Sequence, residues 1–404
     1  MRAFFAGCCL AALAAWPGAA EWPEFRGPTG QGLSEAASPP LTWNETENIA
    51  WKKATSGLGW SSPAVADGKI WFTAASEQGR SLRALALDVA TGDTLHDVEI
   101  LRLESVDSIH SKNSHASPTP IVADGRVYVH FGARGTAALD ASEASLLWRN
   151  TEHAYKDVHG SGGSPVLAGD LLIINCDGAD RQFVVALDKD SGRTVWASPR
   201  GKARMAFATP LLIHPPGGGP QVVSPGADRT VSYDPSDGRE IWSISYDGFS
   251  NVPRPVYAHG LVYIVTGFYR PAVHAVRPDG NGDVTSTHVA WSRSRGAPLT
   301  PSPVVVGDEF YMVNDKGIAT CLDARTGEEV WQERLPGAYS TSPVAADGRI
   351  YFLNETGEAT VIRAGREFEK LASNKIDGRT FASLAFSDGA IFLRSDTHLY
   401  RIEP

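Results

Sequence analysis

Residues 187–196 have the sequence LDKDSGRTVW, and residues 322–331 have the sequence LDARTGEEVW. Both stretches place Leu-Asp before a Ser-Gly or Thr-Gly pair, and both end in Trp. The Ser/Thr-Gly pair predicts a tight turn, because glycine readily adopts the positive φ that such turns need. The apolar and β-branched residues around it predict strands on both sides of the turn. Each stretch is therefore interpreted as a strand, a turn and a second strand that carries a tryptophan.

The same order of features recurs along most of the chain. A small residue followed by Pro marks the start of most units, and an apolar strand, a glycine turn and a second β-rich strand follow it. The starts recur every 40 to 55 residues or so, roughly the size of a four-stranded propeller blade. The predicted starts are Ser62-Pro63, Ser117-Pro118, Ser164-Pro165, Thr209-Pro210, Arg254-Pro255, Ser302-Pro303, Ser342-Pro343 and a degenerate copy at Ala382-Ser383.

These repeats predict an all-β fold, an eight-bladed β-propeller built from four-stranded antiparallel blades. The last unit, near residues 381–403, has three predicted strands, whereas residues 48–52 resemble a lone fourth strand with Trp51 at the recurrent Trp position. We expect this N-terminal strand to complete the last blade, because the pairing covers two open sheet edges. Residues 46–404 then form a single propeller domain, preceded by an N-terminal extension at residues 21–45.

The first twenty residues predict export. Arg2 precedes a short apolar run that ends near Trp16, and small residues follow as far as Ala20. The run is too short to span a bilayer, so residues 1–20 are interpreted as a signal peptide that is cleaved after Ala20. The predicted location is the periplasm or the extracellular space.

Cysteine content, charge and hydropathy argue against several classes of protein. Cys176 and Cys321 are the cysteines outside the leader, and they fall in different units, so no disulfide framework is expected. The formal net charge is -9 and no basic tract is present, which argues against a nucleic-acid partner. No second apolar segment approaches membrane length, and we predict a monomer without a membrane span.

The Leu-Asp-x-x-Ser/Thr-Gly-x-x-x-Trp pattern resembles the quinoprotein alcohol dehydrogenase repeat, or PQQ-like repeat. The opening EWPEFRGP at residues 21–28 is also similar to the start of secreted members of that family. The resemblance implies the propeller fold but no single activity, since the repeat serves dehydrogenases that bind pyrroloquinoline quinone (PQQ) with Ca²⁺ and also a non-enzymatic lipoprotein of outer-membrane β-barrel assembly. Those dehydrogenases typically have adjacent cysteines over the cofactor, and residues 21–404 have none. No cofactor is therefore predicted, and PQQ with Ca²⁺ is the minority alternative.

Functional residues of a propeller usually lie on the face where the loops between blades converge. Loop residues that break the repeat on this face are rich in His, Arg and Asp, which suits a polar or anionic ligand. The candidate catalytic residues are His110, His115, His159, Asp177 and Asp180. The candidate ligand-binding residues are Asn113, His130, Arg204, Arg229, Arg254, Tyr269, Arg270 and Arg295.

Two functions stay open at this point. The first is a ligand-binding or protein-scaffolding module that uses a funnel lined by these residues, with a polar or anionic small molecule, a glycan or an envelope protein as its partner. The second is a carbohydrate-active enzyme that uses the same funnel. No metal site is predicted, because no helix or hairpin fixes the spacing of the loop histidines. A position on the rim also predicts that Arg254→Ala leaves the stability of the fold nearly unchanged.

Overall fold

The computed structural model of the protein describes residues 21–35, 38–201 and 204–404. The predicted signal peptide and its cleavage after Ala20 lie outside the described residues. In the described part of the chain, no helix is long and apolar enough to cross a membrane. Strands dominate this part, and 3₁₀ turns occur at Glu77–Gly79 and Gly132–Arg134.

The strands form eight sheets of four antiparallel strands, which confirms the predicted eight-bladed propeller. We name the strands of each blade a to d. The a strands of several neighbouring blades contact each other, so strand a is the innermost one and lines a central channel. Blade 1 consists of Ala64–Ala66, Lys69–Ser76, Ser81–Asp88 and Thr94–Arg102; blade 2 of Ile121–Ala123, Arg126–His130, Thr136–Asp140 and Leu146–Asn150; blade 3 of Val166–Ala168, Leu171–Asp177, Gln182–Asp188 and Thr194–Pro199; and blade 4 of Leu211–Ile213, Gln221–Pro225, Arg229–Tyr233 and Glu240–Ser245.

The other blades repeat this order. Buried apolar side chains of neighbouring blades pack against each other and form the core. Two short parallel strands are added, Gly282–Asp283 on the outer edge of blade 4 and Leu33–Ser34 on the inner edge of blade 7. Blade 5 consists of Val256–Ala258, Leu261–Val265, Val273–Val276 and Val289–Arg293; blade 6 of Val304–Val306, Glu309–Val313, Ile318–Asp323 and Glu329–Arg334; and blade 7 of Val344–Ala346, Arg349–Leu353, Glu358–Arg363 and Lys370–Lys375.

Blade 8 joins the two ends of the chain. Its strands a to c are Ala385–Ser387, Ala390–Arg394 and His398–Ile402, and its strand d is the N-terminal strand Ile49–Ala54. The two terminal strands pair antiparallel, with Ile49 opposite Ile402 and Ala54 opposite His398. The predicted closing strand is thus confirmed, with observed bounds 49–54 in place of the predicted 48–52.

Tryptophans of several outer strands contact the next blade. Trp148 donates its Nε1–H to Lys189 O at 2.9 Å, and Trp196 donates to Pro235 O at 2.9 Å. The indole also covers the turn glycine of the neighbouring blade, because a Cβ on Gly192 would lie 2.4 Å from the Trp148 ring. Gly192 has a φ of 69°, so both its conformation and its surroundings require glycine. The same contact joins Trp51 to Gly92, Trp196 to Gly238 and Trp291 to Gly327.

The hydrogen-bond register corrects the start of the second unit. The Thr119 N–H donates to Ser164 Oγ at 2.9 Å, just as the Ser164 N–H donates to Thr209 Oγ1 at 2.9 Å. Thr119-Pro120, rather than Ser117-Pro118, is therefore the equivalent of the other unit starts. Ser117 lies upstream and donates its hydroxyl to Asn113 Oδ1 at 2.6 Å. The sequence SPTP contains two small residues before Pro, and only the pairing of the blades distinguishes them.

The N-terminal segment at residues 21–35 lies in the central channel. Trp22 pairs with Val65 of blade 1 through backbone hydrogen bonds of 2.9 and 2.8 Å, and Pro23 O accepts from the Val122 N–H of blade 2. The segment then crosses to blade 7, where Leu33–Ser34 adds its parallel strand. Glu21 accepts from the N–H of Asp67 in an a–b turn, so the segment enters from the face opposite the loops between blades.

The segment after it continues along the propeller surface into the closing strand. Trp43 is 2 % exposed and stacks on Tyr351 of blade 7 with ring centroids 6.3 Å apart. Trp22 and Trp43 belong to one buried cluster with residues of blades 1, 7 and 8. The predicted division into an extension at 21–45 and a domain at 46–404 stays a prediction, but Trp22 and Trp43 of the extension lie in the core.

Candidate functional site

A cavity of about 470 Å³ opens where the central channel meets the face that carries the loops between blades, which we call the top face. Its walls come from the loops that lead into each a strand and from the b–c loops of blades 5 and 6. These are the loops in which the sequence analysis placed the functional residues. The side chains that line the cavity, however, are mainly aromatic or carry a hydroxyl group.

Aromatic side chains form much of the wall. The rings of Trp60 and Phe381 lie 4.8 Å apart between centroids, and the Arg379 guanidinium lies 5.9 and 5.1 Å from those two rings. The Phe249 and Tyr269 rings stack with centroids 5.2 Å apart. Such walls favour flat or apolar ligand groups, because aromatic faces offer large apolar contact areas. Phe25, Phe207 and Phe268 also line the cavity.

Three of these residues, Phe249, Phe268 and Tyr269, form an aromatic lip at the entrance. Phe249 and Phe268 pair as an isolated antiparallel bridge, which joins the loop leading into blade 5 to its b–c loop. Tyr269 is 80 % exposed and has a φ of 75°, an uncommon conformation for a bulky residue. The fold thus holds an exposed aromatic ring at the cavity mouth in a strained backbone conformation.

The base of the cavity is a ring of hydroxyl groups. In seven of the eight units, Ser or Thr precedes the proline, or precedes Leu384 where the last unit lacks the proline. The side-chain oxygen of each such Ser or Thr accepts the backbone N–H of the equivalent residue one unit earlier. These hydrogen bonds measure 2.9 to 3.1 Å, and the bond from Ser383 N–H to Ser62 Oγ closes the circle. The members of this hydroxyl ring are Ser62, Thr119, Ser164, Thr209, Ser302, Ser342 and Ser383.

Arg254 occupies the eighth position of the ring. Its N–H donates to Ser302 Oγ at 2.9 Å, and its Nε donates to Pro210 O at 3.1 Å, so it bridges the place where a hydroxyl is missing. Its guanidinium reaches the N-terminal segment, where it bonds Phe25 O and lies 3.4 Å from Glu24 Oε1. Because Phe25 also lines the cavity, the N-terminal segment forms its floor.

Buried arginines surround this floor. Arg26 donates to Pro303 O at 2.5 Å and to Gln31 O at 2.7 Å. Burial and the nearby charge of Arg254 lower the pKa of Arg26 to about 9, so the group stays charged at neutral pH. Burial raises the pKa of Glu24, and the charge of Arg254 opposes that shift. The glycines beside them are packed closely, since a Cβ on Gly30 would lie 2.5 Å from the Arg254 guanidinium.

The cavity brings together four of the predicted site residues: His110, Asn113, His159 and Tyr269. The His110 and His159 rings meet edge to face with centroids 5.8 Å apart. Asn113 donates to His159 O at 2.8 Å and to Ser161 O at 3.0 Å, so its amide mainly holds two loops together. Whether any of them binds a ligand stays a prediction.

Two predicted residues lie inside the fold rather than on the rim. Arg254 is 1 % exposed beneath the cavity, which corrects its predicted rim position. His130 is 3 % exposed at the end of a strand and bonds Thr136 Oγ1 through Nδ1 at 2.9 Å. Burial lowers the pKa of His130 to about 4, which keeps its ring neutral at physiological pH.

The remaining candidate catalytic residues also lie away from the cavity lining. Asp177 is fully buried and pairs with Arg200; burial raises its pKa to about 6, and the arginine opposes that shift. Asp180 Oδ1 accepts the Lys156 N–H at 2.8 Å, so it shapes an exposed loop, and this bond lowers the pKa of Asp180. His115 borders a separate small cleft, and burial lowers its pKa.

Four predicted arginines point elsewhere on the surface of the described chain, which corrects their expected convergence on the funnel. Arg229 pairs with Glu240 at 2.8 Å. Arg270 lies 3.4 Å from Asp247 and its side chain is 78 % exposed. The other two, Arg204 and Arg295, make single long hydrogen bonds of 3.4 Å to Gly248 O and Gln332 Oε1. Their positions in the sequence did not reveal these directions, because the partners of long side chains are set by the folded chain.

The sequence carries a signal for the cavity at each unit start. Each hydroxyl-ring residue lines the cavity, and the residue two positions before it does so as well. Side chains two apart in an extended chain lie on the same face, so these positions share one wall. The pairs with an aromatic member are Trp60 with Ser62, Phe207 with Thr209, and Phe381 with Ser383.

The donor groups of the cavity do not fit a PQQ–Ca²⁺ site. Calcium prefers several carboxylate or amide oxygens. Among the described lining residues, Asp315 and Asn113 offer such oxygens. The Asp315 carboxylate already accepts from Thr300 Oγ1 at 2.5 Å and Leu299 N at 2.7 Å. In the described residues, no group of three or more His, Cys, Asp or Glu side chains could hold a metal ion.

A family model described as outer membrane protein assembly factor BamB matches residues 99–180 and 180–404. The chain belongs to this family of PQQ-like β-propellers. A relative named outer membrane protein assembly factor BamB, from Nitrosomonas eutropha, is 22% identical over an alignment of 261 residues, and the match covers 59% of this chain. The match of this BamB-family chain spans 58% of the relative's length.

Solved structures of the same fold include a protein named BamB and proteins named as dehydrogenases. BamB from Moraxella catarrhalis superposes with a TM-score of 0.62 at 13% identity, covering 88% of this chain and 99% of that one. A europium-containing methanol dehydrogenase gives 0.65 at 12% identity, with coverages of 94% and 90%. The quinohemoprotein alcohol dehydrogenase ADHIIG from Pseudomonas putida HK5 gives 0.66 at 11% identity, with coverages of 95% and 80%. At these identities the likeness concerns the fold alone.

Proposed function

We propose that this BamB-family chain is an exported scaffold of the cell envelope that binds a segment of another envelope protein at its top-face cavity. The observation that carries the proposal is the aromatic lip, in which exposed rings stand beside a cavity with aromatic walls. Tyr and Phe are enriched in the anchoring parts of protein interfaces, where they fill desolvated pockets. The family description, an outer-membrane protein assembly factor, supports a partner in the same compartment.

The local structure supports binding through preorganisation. Tyr269 is fixed by its stack on Phe249 and by the backbone bridge between Phe249 and Phe268. A rigid aromatic anchor loses little conformational freedom when a partner binds, which improves affinity. The cavity below it is large enough to take one or two side chains of a partner segment.

The carbohydrate-active alternative draws less support from the cavity. Most glycosidases use two carboxyl groups on either side of the scissile bond. Asp315 is the carboxylate among the described lining residues, and its two oxygens accept bonds from Thr300 and Leu299. A polar or anionic small molecule stays a second class of ligand for the same cavity.

Site-specific photocrosslinking in the native host tests the scaffold proposal. A photoreactive phenylalanine analogue is placed at Tyr269, and the control position is Val195, which is 51% exposed on the outer strand of blade 3. We expect position 269 to form one adduct with an envelope protein, position 195 to form none with it, and Phe268→Ser to reduce the adduct. The same adduct from both positions, or none from position 269, would contradict the proposal.

A further inference from the structure

The hydroxyl ring presents unused donors to the cavity. Each ring oxygen accepts one backbone N–H, so its own O–H is free to donate elsewhere. Within the described residues, no ring O–H donates to a protein acceptor, and no two ring hydroxyls bond one another. The ring residues are nonetheless at most 5 % exposed and line the cavity. Buried donors of this kind favour a ligand that supplies acceptor atoms.

Buried positive charge lies next to the ring. Arg254 is part of it, and Arg26 bonds Pro303 O and Pro343 O, the carbonyls that directly follow two ring residues. Arg394 is 1 % exposed and donates to Ser61 O at 3.0 Å, beside ring residue Ser62. Burial lowers the pKa of Arg394 to about 9, so it too is charged at neutral pH.

Negative charge near the ring is smaller. Among the described residues, Glu24 is the one acid that forms an ion pair with any of these three arginines. At the rim of the cavity, Lys112 pairs with Glu355 at 2.7 Å, and Asp315 is bonded to backbone and hydroxyl donors. The base of the cavity therefore has an excess of positive charge, whereas its rim is nearly balanced.

We propose that the hydroxyl ring is an oxyanion subsite, which holds a carboxylate at the base of the cavity while the apolar body of the same ligand lies between the aromatic walls. Hydrogen bonds to a charged acceptor are stronger than those between neutral groups, and several convergent hydroxyls supply them without a paired cation. The inference rests on the proposed function in one respect, that the cavity is the binding site. A carboxylate of this kind comes either from a small acid or from the end of a polypeptide.

Calorimetric titration of residues 21–404 with matched probes tests the subsite. Benzoate and neutral benzamide represent the small acid, and N-acetylphenylalanine and its amide represent the chain end. We expect each acid to bind at least about tenfold more tightly than its amide, because a charge-assisted hydrogen bond is worth more than a neutral one. Inorganic phosphate is expected to bind more weakly than benzoate, because it has no apolar body.

Isosteric variants locate the effect at the ring. We expect Thr209→Val to weaken benzoate binding about tenfold, whereas Thr209→Ser keeps the hydroxyl and stays within about twofold of the unsubstituted protein. Thr119→Val and Thr119→Ser form a second matched pair in a different blade. Melting temperatures accompany each titration, because both valine variants remove an acceptor of a backbone N–H.

Three results would overturn the subsite. They are equal affinity for acid and amide in the unsubstituted protein, unchanged benzoate affinity in a folded valine variant, and phosphate binding as tight as benzoate. The first and third comparisons need no variant, so a valine chain that fails to fold leaves the test intact. Preference for benzoate alone identifies a small acid, and preference for N-acetylphenylalanine identifies a chain end. Because no partner protein is present, failure here is separate from failure of crosslinking at Tyr269.

Discussion

The position of Arg254 in the structure differs from the one that the sequence predicted. From the sequence it was a charged loop residue that interrupts a series of Ser/Thr-Pro pairs. In the fold it replaces a ring hydroxyl and extends under the cavity to Glu24 and Phe25 O. Its long side chain spans a gap that a serine would leave between the propeller and its N-terminal segment. The residue is therefore structural first, whatever the cavity binds.

Substitution of Arg254 is expected to destabilise the protein, contrary to the expectation from the sequence. Arg254→Ala should lower the free energy of unfolding by about 3 kcal/mol or more, because it leaves the Glu24 carboxylate buried without a partner. Arg270→Ala is the control, and its exposed ion pair should be worth about 0 to 1 kcal/mol. Urea denaturation followed by tryptophan fluorescence measures both. Equal urea midpoints for the two variants would show that buried Arg254 adds no more stability than an exposed rim arginine.

At the scale of the element, the repeated unit is the contact between a Trp and the turn glycine of the next blade. Trp51, on the closing strand, covers Gly92 of blade 1, and its Nε1 donates to Val89 O at 3.0 Å. The turn and the tryptophan were predicted, because each recurs within stretches of about ten residues, whereas their contact joins neighbouring blades. Local patterns of this length encode the blade, its turns and its outer face.

A comparison of Gly92 with Gly68 distinguishes two costs of adding a side chain, one from packing at this contact and one from backbone conformation. Both glycines have a φ of 71°, but a Cβ on Gly92 would lie 2.7 Å from the Trp51 ring, and a Cβ on Gly68 would meet nothing within 4 Å. Gly68→Ala should cost about 1 to 2 kcal/mol for the left-handed conformation. Gly92→Ala should cost a further 1 to 3 kcal/mol or so, because it overpacks the interface between blades 8 and 1. Equal losses in urea denaturation would show that the indole contact is loose.

At the scale of the whole molecule, the parts that escaped prediction depend on contacts between distant residues. Arg26 bonds Pro343 O across 317 residues of sequence, and no local pattern indicates that residues 21–35 lie in the channel. The same holds for the cavity: the direction of His110 or Arg270 depends on how eight units are arranged around one axis. The repeat predicted the number of blades and their closure, whereas the lining arises only after the ring has formed.

Two N-terminal truncations test whether the N-terminal strand holds the propeller closed. A chain that begins at Ser38 lacks the channel segment but retains the strand Ile49–Ala54, whereas a chain that begins at Thr55 leaves blade 8 with three strands. We expect the first truncation to lower the melting temperature and to keep a cooperative transition, since the ring of blades stays closed. The second should lose cooperativity and associate, because the edge of strand His398–Ile402 becomes exposed. Calorimetry and size-exclusion chromatography measure the two effects. If both truncations melt at the same temperature as monomers, the N-terminal strand adds nothing to stability, and the propeller is held closed by contacts between blades alone.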